Sequence, residues 1–451
     1  MRTGKPRTGG LRSRTIERRR RAVPLPSRIG FWALTIGLYA KLGLAVGVGE
    51  RKRFVGNKPV KESLDGVVED TAFLDGVILV AAASIFLANL RAAESYTRTL
   101  VLGGLLVLLA AASSVVNDIP PIEGFTNAAK ALTPLAILPA LFIYSRQAPW
   151  DFRNACWLLL GTCLALVVYG ILTLPPEFNK GRTYLPAYFA NLHTSAHVVL
   201  ASILLAWGLA WRTSRRAILH QSLILVIGGG FLAVAWGVRT SIAGLVVASA
   251  VFYLRNQPHL RPKAAFLATF TVAIGLVWSI ASGWEVSLTD IDEFASGRLD
   301  MYTYKAQEFA DRDLRHVLFG RGYGSDLAVT RTWWWGEKDS HNDYIKLTGE
   351  LGLLFIAFFI AILRDLIRRH KDNSLYLAIW AAYLVSCGIS NGFISRPLAT
   401  YVLMFGVALA ALGPTPQRRE VPVQYAAARR SFQRLTDQPQ DLAPTRPSGA
   451  T

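Results

Sequence analysis

Roughly twelve stretches of about 17–22 mostly apolar residues run along this chain, each long enough as an α-helix to cross some 30 Å of hydrocarbon. Within each stretch the apolar residues run on without amphipathic spacing. They centre near 30–49, 72–90, 99–116, 127–144, 155–174, 191–211, 217–235, 238–254, 264–282, 347–363, 376–390 and 397–412. Only Trp236 to Arg239 separates the eighth from the seventh, so a helical hairpin there needs a very tight turn. Apolar residues make up 52% of the 451, and the mean hydropathy of +0.32 is too high for a soluble domain of this size. The sequence therefore predicts an all-α polytopic membrane protein, with about twelve transmembrane helices over 29–412.

A net charge of +19 would suit a nucleic-acid partner, but its placement argues against one. An even number of spans puts both termini on one face. That face takes about thirty basic residues and the other about sixteen, so the positive-inside rule predicts cytoplasmic termini. Arg2, Lys5, Arg7, Arg12, Arg14, Arg18, Arg19, Arg20, Arg21 and Arg28 crowd the N-terminal arm. Such an arm, next to a membrane, is expected to meet anionic lipid headgroups, with no nucleic acid as partner. The predicted location is the bacterial inner membrane.

The first apolar stretch is too long, and lacks the small-residue cleavage site, for a cleavable signal peptide. Residues 1–28 read as a basic disordered cytoplasmic arm and 413–451, rich in Pro, Gln, Arg and Thr, as a disordered cytoplasmic tail. Cys156, Cys163 and Cys387 all fall inside predicted spans. The first two, seven residues apart on one helix, are too far apart for a disulfide. All three read as small core residues.

One loop breaks the rhythm of short connections. It covers about 283–345, on the extracytoplasmic side, and a loop of that length in a compact protein is usually functional. Residues 298–317 in it have helical character, with Leu299, Tyr302, Ala306, Phe309 and Leu314 at helix-compatible steps. A turn, Gly320-Arg321-Gly322-Tyr323-Gly324, follows, and then an interfacial aromatic cluster, Trp333-Trp334-Trp335. The loop closes on Ser340-His341-Asn342-Asp343-Tyr344, which runs into the tenth span. His341 has the side chain suited to general-base work near neutrality. The plainer reading of this pentapeptide is a polar helix start capped by Asn or Asp. Four arginines share its face: Arg182 before the sixth span, Arg239 at the turn into the eighth, Arg298 opening the loop helix, and Arg396 before the twelfth. A guanidinium fork matches phosphate oxygens bidentately, whereas a single arginine at a span end often only snorkels to headgroups.

Other constellations compete. Asp290 with Asp292, or Asp311 with Asp313, can hold a divalent cation for metal-dependent glycosyl transfer. The second pair interleaves with Arg312 and Arg315, which reads as a solvated helix face. His193 and His197 stand at i and i+4, but no third ligand accompanies them. The expectation is no metal and no cofactor. Charges at Lys41, Asp75 and Lys130 inside predicted spans fit a secondary transporter, a fold for which an internal repeat would be expected and none is found.

Residues 297–354 resemble the signature region of the O-antigen ligase and polysaccharide polymerase superfamily of membrane glycosyltransferases. The match lies in Arg298, the Leu318-Phe319-Gly320-Arg321-Gly322-Tyr323-Gly324 turn, His341-Asn342 with Tyr344, and Glu350-Leu351-Gly352. Upstream, Val238-Arg239-Thr240-Ser241 is similar to the family's arginine motif at the start of a span. Arg182, followed by Tyr188, Phe189 and Asn191, resembles its other arginine. The resemblance covers about 182–354, under half the chain. It implies transfer of a glycan from undecaprenyl diphosphate to an acceptor hydroxyl at the periplasmic face, without a metal. His341 would be the base, and Arg182, Arg239 and Arg298 would bind the diphosphate. Asn342, Tyr344 and Arg396 are candidate substrate contacts. The acceptor would be another lipid-linked oligosaccharide in a polymerase of exopolysaccharide, capsule or O-antigen, or lipid A–core in a ligase. The first is the favoured expectation.

Overall fold

The computed structural model describes residues 23–46, 52–55, 58–61, 72–121, 129, 132–174, 177–179, 182–185, 189, 192–213, 217–236, 238–256, 298–330 and 338–413. Residues 1–22 of the expected arm, 414–451 of the tail, Lys130, Asp290, Asp292, the ninth predicted span and Trp333 to Trp335 lie outside them, whereas Leu25 to Arg28, expected in the disordered arm, form the first turn of the helix Leu25–Leu44.

The described residues are helical. In chain order the helices are α1 (Leu25–Leu44), α2 (Ala72–Leu87), α3 (Thr97–Val116), α4 (Leu138–Gln147), α5 (Pro149–Thr173), α6 (Leu192–Thr213), α7 (Ala217–Ala235) and α8 (Arg239–Asn256). Next come α9 (Arg298–Ala310), α10 (Leu314–Phe319), α11 (Asp343–Arg368), α12 (Ser374–Ile389) and α13 (Pro397–Ala411). A short helical passage, from Leu90 to Tyr96, leads into α3. Two antiparallel hairpins add the only strands among the described residues. These are β1 (Lys52–Val55) with β2 (Lys58–Lys61), and β3 (Glu177–Asn179) with β4 (Arg182–Tyr184).

Three of the helical stretches are long and apolar enough to cross a membrane: Leu90–Val116, Pro149–Thr173 and Leu192–Trp211. The third is 83% buried, against 28% and 39% for the others, which makes α6 the central helix of the three. It packs on α13, α7 and α5. The two outer stretches expose Leu100, Leu108, Leu158, Leu164, Val168 and Leu172, a surface that suits lipid. Shorter apolar helices occupy Phe73–Leu87, His220–Ala235, Ser374–Ile389 and Pro397–Ala411. All three cysteines are buried and none is in a disulfide, as core residues should be.

Small residues bring helices close where they cross. α8 lies along α12, and a Cβ on Gly244 would stand 2.7 Å from Ser386 Oγ. α1 pairs with α2, and a buried ion pair, Lys41 Nζ to Asp75 Oδ2 at 2.7 Å, ties them together. Tyr401 of α13 donates to the other Asp75 oxygen at 2.6 Å. As the sequence predicts, only a very short connection separates the seventh and eighth spans: α7 ends at Ala235 and α8 opens at Arg239. Leu185, just past β4, donates its N–H to Ala235 O, and Trp236 Nε1 donates back to Leu185 O.

The structure departs from the sequence expectation in two further places. The loop helix is two helices, because Asp313 stops at an extended φ/ψ and caps α10 by accepting from His316 N at 2.9 Å. The tenth predicted span is also not one unbroken helix. Within α11, Gly352 sits at φ 84°, ψ 174°, so two helical segments meet there.

Candidate active site

The break in α11 leaves carbonyls without helical partners, and a buried backbone acceptor must find another donor. The glycine turn supplies them. Arg321 N donates to Gly349 O at 3.1 Å, and Gly322 N to Glu350 O at 2.9 Å. Arg312 Nη1 adds a bond to Gly349 O (3.0 Å) and Ser113 Oγ one to Glu350 O (3.1 Å). Gly320 has φ 75° and touches the same backbone, so the two parts of the sequence motif are one interlocked unit. Neither position accepts an L side chain without strain.

Beneath this turn lies an ion network. Glu308 accepts from Arg312 (2.9 Å), Arg321 (2.7 Å) and Lys305 (3.1 Å). Burial works to raise the Glu308 carboxyl, but the hydrogen bonds from Arg312 and Lys305 outweigh it and hold it below the usual carboxylate range. Lys305 also reaches Asp326 at 3.4 Å. Asp326 in turn accepts from Ser340 N at 2.8 Å, immediately before His341. Paired backbone bonds between Ala328 and Lys338, both 2.9 Å, close the segment between. The network thus fastens α9 to the histidine.

His341 adopts a left-handed backbone, φ 49°, which is uncommon for a residue with a side chain and costs roughly 1–2 kcal/mol. Asp339 holds it there. The carboxylate lies 3.1 Å from His341 Nδ1 and accepts from His341 N at 3.3 Å. Its other oxygen takes Asn391 Nδ2 at 2.5 Å, with Lys346 Nζ at 4.0 Å. The following residues are anchors. Asn342 caps α11 through Tyr344 N (3.0 Å) and Ile345 N (3.2 Å), and its amide donates to Gly388 O at 2.5 Å. Asp343, fully buried, accepts from Gly392 N, Ile394 N and Ser395 Oγ and so shapes the loop between α12 and α13. Tyr344 donates to Leu384 O at 3.1 Å.

Two of the four arginines meet this loop. Arg298, at the start of α9, donates to Ile389 O at 2.9 Å, and Arg396 donates to Gly392 O at 3.2 Å just before α13. Both lie within electrostatic reach of His341. Burial is the largest influence lowering the His341 pKa below its usual 6.5; Asp339 opposes it, while Arg298, Lys338 and Arg396 add to it. The balance favours the unprotonated ring. Arg239, exposed at the start of α8, lies within electrostatic reach of Arg298. Arg182 enters as the first residue of β4, opposite Asn179, and its side chain lies outside the described residues. The bonds from Leu185 to the α7–α8 turn bring β4 beside the start of α8, and with it Arg239.

The rival ligand sets are occupied otherwise. Asp311 is exposed, and Asp313 bonds His316 Nδ1 at 2.6 Å besides capping α10. His197 is buried, with Nδ1 2.7 Å from His193 O and its ring edge-on to Phe393. No group of three His, Cys, Asp or Glu side chains able to hold a metal occurs among the described residues. Sequence reasoning missed Asp339 and Asn391, although a polar Ser390-Asn391-Gly392 between two apolar spans was a visible cue.

In comparisons with known proteins, no family model matches the chain and no curated protein matches it.

Proposed function

We propose that this protein is a multi-pass membrane glycosyltransferase of the bacterial inner membrane with cytoplasmic termini. In this reading it moves a glycan from undecaprenyl diphosphate to an acceptor hydroxyl at the periplasmic face, polymerising a surface polysaccharide. Attachment of O-antigen to lipid A–core is the alternative within the same chemistry. The observation that carries the reading is His341 backed by the Asp339 carboxylate at 3.1 Å, with Arg298 and Arg396 within electrostatic reach. That is what transfer from a diphosphate donor requires, because the leaving group is already good and needs only charge stabilisation.

With Nδ1–H directed at Asp339, the ring's lone pair lies on Nε2. Nε2 takes the proton of the acceptor hydroxyl as its oxygen bonds the anomeric carbon. The bond from that carbon to the diphosphate oxygen breaks, and the electron pair leaves on the lipid diphosphate. Guanidinium groups of Arg239, Arg298 and Arg182 stabilise the charge there, and Arg396, Asn342 and Tyr344 shape the surrounding wall. A single displacement inverts the anomeric configuration.

Purified protein in nanodiscs, given a lipid-linked oligosaccharide, should extend it in a single turnover. Failure to use any polyprenyl diphosphate donor or acceptor would end the proposal. Glycan profiling of a deletion strain separates its two forms. Single-repeat surface glycan indicates the polymerase, and full-length chains left on their carrier indicate the ligase.

A further inference from the structure

We infer that Asp339 is a positioning residue, which sets the ring orientation of His341 and is itself aimed by Asn391. This deepens the proposed function and rests on it. The geometry is a relay of three side chains from two separate segments. Asn391, in the loop between α12 and α13, donates to Asp339 Oδ2 at 2.5 Å, leaving Asp339 Oδ1 for both the ring Nδ1 and the backbone N–H of His341. One carboxylate thus fixes the histidine at two points. The left-handed backbone of His341 makes that necessary, because a strained φ persists only where surrounding contacts over-determine it. A carboxylate on Nδ1 also selects the tautomer with its lone pair on Nε2, the atom that must take the acceptor proton.

The field at the ring comes from several elements. Arg298 of α9, Lys338 beside Asp339 and Arg396 ahead of α13 all disfavour the imidazolium, and His193 of α6 lies within electrostatic reach. Asp339 is the group that favours it. Lys346 of α11 stands behind the carboxylate at 4.0 Å.

The test combines Asp339→Asn, Asp339→Glu and Asn391→Ala in full-length protein in nanodiscs. Isotope-labelled histidine gives a titration curve for His341 that needs no activity, its resonance identified among the seven histidines by its loss in His341→Gln. Asp339→Asn should lower the His341 midpoint and slow single-turnover transfer roughly 10²–10⁴-fold, with lipid-linked donor binding unchanged. Asp339→Glu should recover part of both, and Asn391→Ala should shift the midpoint in the same direction by less. If Asp339→Asn does not fold, Asn391→Ala carries the test. An unmoved midpoint, or a loss of rate matched by an equal loss of donor binding, overturns the inference. Wild-type transfer by His341→Gln would also overturn it, by removing the base that Asp339 serves. Absence of transfer by the wild-type protein would instead overturn the glycosyltransferase reading, with the titration still reporting whether the pair exists.

Discussion

Gly352 and Gly320 stand back to back: a Cβ on Gly352 would lie 2.6 Å from Gly320 N, and closer still to the Leu318 carbonyl. Thirty-two residues of sequence separate them, and their contact breaks α11 and seats the glycine turn. Gly352→Ala should therefore destabilise the folded protein by more than about 2 kcal/mol, from left-handed strain and steric clash together. Gly324→Ala is the control, since its φ is equally positive but no atom lies within 4 Å of its Cβ. Thermal unfolding in matched detergent should show a much smaller loss for Gly324→Ala. Equal losses would mean that the interlock contributes nothing beyond backbone strain.

His341→Ala should abolish transfer while leaving donor binding intact, because the arginines remain. Since the His341 pKa is lowered, the unprotonated base persists below pH 6.5. The acid limb of kcat/KM should accordingly have its midpoint below that value. A midpoint above 6.5, or wild-type turnover in His341→Ala, would remove His341 as the base.

The arginines should separate into two classes. Arg239→Ala, at an exposed helix start, should weaken donor binding more than it lowers thermal stability. Arg396→Ala also deletes a bond to Gly392 O and a charge near the buried Asp343, so binding and stability should fall together. Lysine at 239 should rescue only in part, since it keeps the charge without the fork. Normal donor affinity in Arg239→Ala would return that residue to the role of a headgroup anchor.

The pair Lys41–Asp75 belongs to the scaffold, by the bond that Tyr401 adds to it. Replacing Lys41 with Met should cost about 3–5 kcal/mol, because Asp75 is left buried without its cation. The double variant Lys41→Met, Asp75→Leu should recover most of that. A transporter would instead lose substrate flux in the double variant at undiminished stability, which a proteoliposome assay would detect.

Topology is open to a direct check. Leu327 is half-exposed in the long loop, and the native cysteines are buried. Leu327→Cys, in a background with those three replaced, should react with an impermeant maleimide in cells whose inner membrane is intact. Reaction only after that membrane is breached would place the candidate site on the cytoplasmic side.

What the sequence determined by itself is the set of features written in neighbouring residues. The apolar runs at 99–116, 155–174 and 191–211 became helices of spanning length, because a helix satisfies its own backbone and needs only composition to be recognised. Arg239, Arg298 and Arg396 stand at helix starts, and Asn342 caps α11, since caps and starts are local chemistry too. The tertiary structure alone decided what those elements do to one another. Nothing near Gly352 marks a break, because the cause is the carbonyl of Leu318 arriving from another segment. Nothing near His341 names Asn391, fifty residues on, as the group that aims Asp339. Local pattern fixes which segments become helices. Which carbonyl loses its helical partner, and which carboxylate gains a histidine, depends on contacts that exist only once those helices have packed.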